Sequence, residues 1–140
     1  RYQREGYFSR GANLRKAILV DVKMRGTDAS GTEMMETNCT NVDFTNANLS
    51  EANFKHARLK SVCFVNAKLG DADFRGAHFM DCDFSGADLI EAKFHGVDLR
   101  SVKNISAEEL QSAFIDSETQ VPDYIEVKWI SEDSYECKLA

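Results

Sequence analysis

Histidine and cysteine side chains are frequent ligands of transition metals, and this chain of 140 residues contains three histidines and four cysteines. The histidines are His56, His78 and His95, and no His-x-x-x-His or Cys-x-x-Cys motif occurs. Those short spacings place two ligands on one metal ion. The sequence therefore predicts no metal site.

Nucleophilic catalysis and phosphate binding need their own arrangements of side chains. Serine, histidine and aspartate are all present, but a catalytic triad requires them to converge around a cleft. No glycine-rich phosphate loop is found, since the glycines recur at one position of a five-residue unit, where tight turns favour them. Examples are Gly26, Gly76, Gly86 and Gly96. We expect neither an enzyme nor a bound cofactor.

The elements that would position these side chains follow a period of five residues. From Leu14 to Leu99 every fifth residue is uncharged and most are large, and the residue two positions earlier is always small. No charged residue occupies these positions, although 29% of the chain is charged. The pattern indicates burial. The central residues are Leu14, Leu19, Met24, Ala29, Met34, Cys39, Phe44, Leu49, Phe54, Leu59, Phe64, Leu69, Phe74, Phe79, Phe84, Leu89, Phe94 and Leu99.

A period of five fits neither regular secondary structure. Successive central residues would rotate off one face of an α-helix, and in a flat strand an odd step moves the side chain to the opposite face. Each unit must therefore contain a turn. If each unit turns the chain by about a right angle, four units close a coil, and coils stack at about 4.8 Å as parallel strands do.

Several units resemble the A-[DN]-[LF]-x-x repeat of the pentapeptide-repeat proteins. They include Ala47-Asn48-Leu49-Ser50-Glu51, Ala52-Asn53-Phe54-Lys55-His56, Ala72-Asp73-Phe74-Arg75-Gly76 and Ala87-Asp88-Leu89-Ile90-Glu91. The resemblance covers about residues 12–101. It implies an all-β solenoid, a right-handed quadrilateral parallel β-helix of four and a half coils, in which Phe54, Phe74 and Phe94 form one column opposite Phe44, Phe64 and Phe84.

The sequence predicts a single domain with a cap at each end of the solenoid. A solenoid has two open ends whose unpaired edges favour self-association unless they are covered. We expect an N-terminal cap in residues 1–11, the β-helix in residues 12–103 and a C-terminal cap in residues 104–140. Tyr2, Tyr7 and Phe8 would cover the first coil.

The C-terminal cap begins with a capping box, Ser106-Ala107-Glu108-Glu109. It predicts a short helix over about residues 106–115, in which Ala107, Leu110 and Phe114 share the buried face. Alternating apolar residues after Pro122 indicate two strands joined by a polar turn at residues 131–134. The two alternating sets are Ile125, Val127, Trp129 and Tyr135, Cys137, Leu139.

Charge is distributed unevenly along the chain. Residues 1–103 carry fifteen basic and fourteen acidic side chains, whereas residues 104–140 carry two and nine. On the side of the coil built on Ala29, Leu49, Leu69 and Leu89, only Lys68 opposes five acidic residues. Either these are solvated charges that keep the strands soluble, or they form an acidic docking face. The five are Asp28, Glu51, Asp71, Asp88 and Glu91.

Cysteine placement bears on the compartment. Cys39, Cys63 and Cys82 do not occupy equivalent sites one coil apart, so a disulfide among them is disfavoured. Free thiols favour a reducing compartment such as the cytoplasm slightly, although a targeting segment removed before Arg1 would change that expectation. No apolar run approaches the roughly 20 residues that span a bilayer, so we expect no membrane insertion.

Two functions from different classes remain open. The first is a non-catalytic scaffold, a monomer or weak dimer that binds an unidentified protein through its acidic side or its tail. The second is implied by the resemblance: a DNA mimic that binds a type II topoisomerase such as gyrase. The near-neutral solenoid favours the first, because a mimic needs regular negative charge along its length. A pI near 5.1 also argues against direct nucleic-acid binding.

Overall fold

The computed structural model describes residues 10–140, so the predicted N-terminal cap lies almost wholly outside the described residues. Within them, backbone pairing joins segments twenty residues apart in four parallel ladders. One ladder runs through Asn13, Glu33, Asn53, Asp73 and Lys93. Four parallel ladders in every twenty residues are the four sides of a β-helix, which confirms the solenoid that the five-residue period predicts.

We number the sides 1 to 4 after the central residues of the first coil, Leu14, Leu19, Met24 and Ala29. Side 2 carries regular strands that pair in parallel, whereas the other sides pair through single bridges. The strands are β1 (Ile18–Val20), β2 (Asn38–Thr40), β3 (Arg58–Lys60) and β4 (His78–Met80).

Most sides end in a tight turn with a left-handed residue at the corner. After Leu49, for example, Glu51 has φ 62°, and the Ala52 N–H donates to the Leu49 carbonyl at 3.0 Å. Positive φ at the third residue of such a turn is typical of type II. Glycine occupies this corner at several units, as expected: Gly26, Gly76, Gly86 and Gly96 have φ between 65° and 74°.

The aspartate or asparagine before the central residue stabilises the same turn. In the unit of Leu89, Asp88 Oδ1 accepts a hydrogen bond from the Ile90 N–H at 3.1 Å, and Asn48 Oδ1 does the same for the Ser50 N–H. Such Asx turns fix the backbone locally. The bond recurs at nine units, those of Asn13, Asp28, Asp43, Asn48, Asn53, Asp73, Asp83, Asp88 and Asp98.

The central and preceding small residues fill the interior. All of them are buried except Ala12, Ala17, Thr27 and Phe79, which are half-buried. Phe54, Phe74 and Phe94 stack nearly parallel, with ring centroids 4.9 and 5.1 Å apart. Phe44, Phe64 and Phe84 form the second column. Rings of the two columns meet edge to face, so the predicted aromatic core is confirmed.

The last coil differs from the others because a helix replaces its fourth side. Helix α1 (Ala107–Ser112) begins after Ser106, whose Oγ accepts from the Glu109 N–H at 3.0 Å. At its end the Glu91 N–H donates to the Ser112 carbonyl. The ladder then resumes with Phe114 beside Lys93, twenty-one residues apart, and Gln120 beside Asp98, twenty-two apart.

The helix is therefore shorter than the predicted span of about residues 106–115. Ala113 is extended, with φ −90° and ψ 176°, because the chain returns there to the ladder of side 1. Phe114 does not share the buried face of Ala107 and Leu110, since it is 44% exposed. Ile115 takes the buried central position instead.

The chain ends in an antiparallel hairpin of β5 (Ile125–Trp129) and β6 (Tyr135–Leu139). Its apolar residues lie on one face and pair as Ile125 with Leu139, Val127 with Cys137 and Trp129 with Tyr135. The other face carries charged pairs, Glu126 with Lys138 and Lys128 with Glu136. Apolar residues of this hairpin pack against the core. The division into caps and solenoid remains a prediction.

Truncating one stacked ring tests the aromatic core. Phe74→Ala removes contacts with the rings of Phe54, Phe64, Phe84 and Phe94 and leaves a cavity, so we expect a loss of about 3 to 5 kcal/mol in the free energy of unfolding. Exposed Lys60→Ala serves as control and should cost less than about 0.5 kcal/mol. Equal losses in urea denaturation would contradict the inward assignment.

A matched pair of variants tests the turn hydrogen bond. Asp88→Asn keeps the Oδ1 acceptor, as Asn48 shows in the same ladder, whereas Asp88→Ala removes it. We expect the asparagine variant to match the parent protein and the alanine variant to lose about 0.5 to 1.5 kcal/mol in urea unfolding. If both variants unfold at the same midpoint, the side chain does not stabilise the turn.

Candidate protein-binding surface

The five acidic residues of the expected docking face all lie exposed on side 4 or at its corner. They belong to two columns that run along the solenoid. Asp28 and Asp88 stand at the two ends of the ladder, with Asn48 and Lys68 between them. Glu51, Asp71 and Glu91 follow one another at the corner in successive coils.

We call these three residues, Glu51, Asp71 and Glu91, the acidic column. All three have positive φ, of 62°, 59° and 59°. The Glu51 N–H donates to the Gly70 carbonyl at 2.8 Å, and the Asp71 N–H to the Ile90 carbonyl at 3.0 Å. These bonds hold successive coils at the strand spacing of about 4.8 Å.

The acidic column has no counterion within the chain. Among residues 10–140 none of its three carboxylates lies within ion-pair distance of a basic side chain. Like charges on adjacent strands repel one another. A cationic group placed against the column would relieve this repulsion, so the arrangement is suited to a basic ligand.

Asp28 and Asp88 have a structural task in addition to their charge. Asp28 Oδ1 accepts from the N–H and the hydroxyl of Ser30, and its other oxygen lies 3.8 Å from Arg10 Nε. The hydrogen bonds from Ser30 lower the pKa of the Asp28 carboxyl. The structure thus brings three of the five predicted residues into one column and places the other two in the turns of the neighbouring ladder.

One residue beside the acidic column escaped the sequence analysis. Ile90 follows Asp88 and precedes Glu91, and it is 56% exposed. Equivalent positions in the earlier coils hold Ser30, Ser50 and Gly70. The sequence does mark Ile90 as unusual, because it is a large apolar residue at an outward position of the repeat.

Residues that could bind a metal ion or take part in catalysis are dispersed over the described structure. Among residues 10–140 no three histidine, cysteine or acidic side chains are close enough to share a metal ion. His56 folds over the next coil at Gly76, where an added Cβ would collide with its imidazole ring. His78 belongs to β4, and His95 stacks near Phe114. The histidines therefore do not converge.

The cysteines are unpaired, and three of them are poorly suited to nucleophilic attack. All four are free thiols, and Cys39 and Cys82 are buried. Burial raises the pKa of Cys39 to about 12 and that of Cys82 to about 11. It also raises the pKa of half-buried Cys137 to about 11. A thiol attacks as its thiolate, which these values make scarce near neutral pH.

The described surface carries several grooves that are open to solvent. One groove between α1 and β6 has a volume of about 540 Å³ and is lined by Ile105, Ala107, Gln111, Tyr124 and Leu139, among others. The described residues include no helix with the length and apolarity required to cross a bilayer.

Comparison with known proteins shows which family of proteins shares this architecture. A family model of the pentapeptide repeat region matches residues 10–74 and 38–114, whereas no curated protein sequence matches the chain significantly. A pentapeptide repeat protein of the Arabidopsis thaliana thylakoid lumen is 24% identical, with 74% of this chain and 69% of that chain covered and a TM-score of 0.56.

HetL, a pentapeptide repeat protein involved in heterocyst differentiation regulation in Nostoc sp. PCC 7120, is also 24% identical, with a TM-score of 0.53. The match covers 81% of this chain but only half of HetL. At this identity the two structures show a shared fold alone. The repeat matches extend over most of the chain, and the coil of four five-residue sides agrees with them, so this protein belongs to the pentapeptide-repeat family.

Proposed function

We propose that this protein is a non-catalytic binding module whose acidic column receives a basic surface of another protein. The observation that carries the proposal is the stack of Glu51, Asp71 and Glu91 without counterions among the described residues. The family fold is generally a structural and interaction scaffold, which agrees with this role.

The scaffold supports binding because it fixes the backbone positions that carry these charges. Each coil is tied to the next by the four ladders, and the phenylalanine columns fill the interior. The backbone beneath these charges is fixed before binding, so it loses little conformational freedom when a partner arrives. Complementary charge would also speed association and exclude acidic competitors.

Exposed Ile90 adds an apolar contact at the end of the acidic column. The neighbouring ladder position holds Asp88, which extends the negative surface, whereas Lys68 interrupts it one coil earlier. The surface therefore suits a small basic patch with an apolar neighbour better than a long cationic groove.

The short length and low charge density of this acidic surface weigh against DNA mimicry. Three charges in two coil spacings cover about 10 Å, a length over which duplex DNA carries about six phosphate charges. Lys68 and Asn48 further dilute the negative charge of the adjacent ladder. A type II topoisomerase is therefore the weaker candidate partner, and a supercoiling assay distinguishes it from other partners.

A matched pair of double charge reversals tests the proposal. Asp71→Lys with Glu91→Lys reverses two members of the acidic column, and Glu36→Lys with Asp81→Lys reverses two exposed corner residues with similar φ, of 57° and 55°. Both proteins should keep nearly the parent thermal stability, because exposed charges contribute little to folding. Any difference in binding then reports the position of the charge.

We expect affinity capture from cells of the source organism to lose its main partner with the column variant and to retain it with the control. For the purified partner, the affinity should fall at least about tenfold and show less dependence on salt. Equal capture by both variants would contradict the proposal. Inhibition or protection of gyrase in a supercoiling assay, abolished only by the column variant, would support DNA mimicry instead.

A further inference from the structure

The terminal hairpin has one open backbone edge. The Ala140 N–H donates to the Tyr124 carbonyl, and the Ile130 N–H to the Ser134 carbonyl. In an antiparallel pair, hydrogen-bonded and non-hydrogen-bonded residues alternate. Glu126 and Lys128 therefore bond to β6, and the backbone groups of Val127 and Trp129 point away from it.

The two edges of the hairpin are treated differently. Along β6, the side chain of Gln111 acts as a short strand: its Nε2 donates to the Tyr135 carbonyl at 2.8 Å, and its Oε1 accepts from the Cys137 N–H at 2.7 Å. Along β5, the Ile125 N–H donates to the Pro122 carbonyl, but Val127 and Trp129 have no such partner among residues 10–140. An open edge of this kind is a template for another strand.

Accessibility also favours β5 as a docking edge. Residues 128–134 are all exposed, so the distal half of the hairpin projects from the body. Trp129 is 37% and Ile130 58% exposed. Helix α1 packs against β6, and β5 has no strand on its outer side in the described part of the chain.

The charges of β5 match a second copy of the same strand. In an antiparallel pair centred on Val127, Glu126 faces Lys128 of the partner subunit, and Lys128 faces Glu126 of the partner subunit. Centring the pair on Lys128 or on Glu126 would place identical charges opposite one another, which is unfavourable. Only the Val127 register also lets the outward backbone groups of Val127 meet directly.

We propose that two copies of this protein associate through β5 to form a four-stranded antiparallel sheet. In each half of this sheet the exposed face carries a row of alternating charge: Lys138, Glu126, the partner's Lys128 and the partner's Glu136. Within one copy, Lys138 Nζ already lies 3.7 Å from Glu126 Oε2. The two-fold axis passes between the Val127 residues, so the interface is self-complementary.

The dimer is weak, because the contact is one short strand from each copy. Interfaces of this size fall at the low end of specific association. Two backbone hydrogen bonds join the two Val127 residues, and one more on each side runs from the Trp129 N–H of one copy to the Ile125 carbonyl of the other. Neither the acidic column nor side 4 takes part. The proposal is thus independent of the function proposed above.

Charge reversal with rescue by mixing tests the pairing. Lys128→Glu gives each β5 two acidic residues and Glu126→Lys gives it two basic residues, so each variant alone should dimerise at least about tenfold more weakly than the parent protein. An equimolar mixture should form a heterodimer of about parental affinity, because opposite charges again face one another. The readout is sedimentation from about 10 µM to about 1 mM protein.

Two further variants separate the interface from the stability of the hairpin. Lys138→Glu breaks the same kind of cross-strand pair but does not face the partner, so dimerisation should persist. Val127→Pro removes an outward N–H that an edge strand can spare, and it should abolish dimerisation while the folded monomer loses only the packing of the half-buried Val127 side chain in thermal unfolding. A parent protein that stays monomeric at 1 mM, or variants that fail to rescue one another on mixing, would overturn the proposal.

Discussion

Backbone hydrogen bonding between coils is the constraint on which this structure depends. Each coil offers its peptide groups to the coil above at an offset of twenty residues, so residues of one type are placed directly above one another. In the interior of the coil this alignment is favourable, because it buries flat aromatic rings stacked on one another. Outside, the same geometry aligns Glu51, Asp71 and Glu91. The core and the proposed binding surface are thus two results of one offset.

Much of this architecture could be predicted from sequence, because inward and outward positions alternate in a fixed order. The columns of Phe54, Phe74, Phe94 and of Phe44, Phe64, Phe84 followed from the five-residue register together with the four-sided coil that the family resemblance implies. The structural role of Asp88 could not be predicted in this way. An aspartate before the central residue suggests surface charge, whereas its hydrogen bond to the turn depends on local backbone geometry. Two of the five candidate site residues therefore have a turn-forming role that their sequence positions did not reveal.

The end of the solenoid was harder to predict for a different reason. Helix α1 takes the place of one side, and the ladder resumes with one and then two additional residues. The capping box located the start of the helix, but its end is fixed by a non-local contact, the return of Phe114 to Lys93. Gln111 likewise gains its role only from the hairpin folded beside it. Long-range contacts of this kind leave no periodic signal.

The most direct test of the account is whether the coil requires twenty residues. In one protein a second copy of residues 52–71 is inserted after Asp71, and in the other the inserted copy lacks exposed Ser61, so that no core side chain is lost. Because repeat proteins gain stability from each matched neighbour, the twenty-residue insertion should keep or raise the urea midpoint of the parent protein. The nineteen-residue insertion should lower it, since one coil no longer reaches its ladders. Equal midpoints for the two insertions would contradict the account.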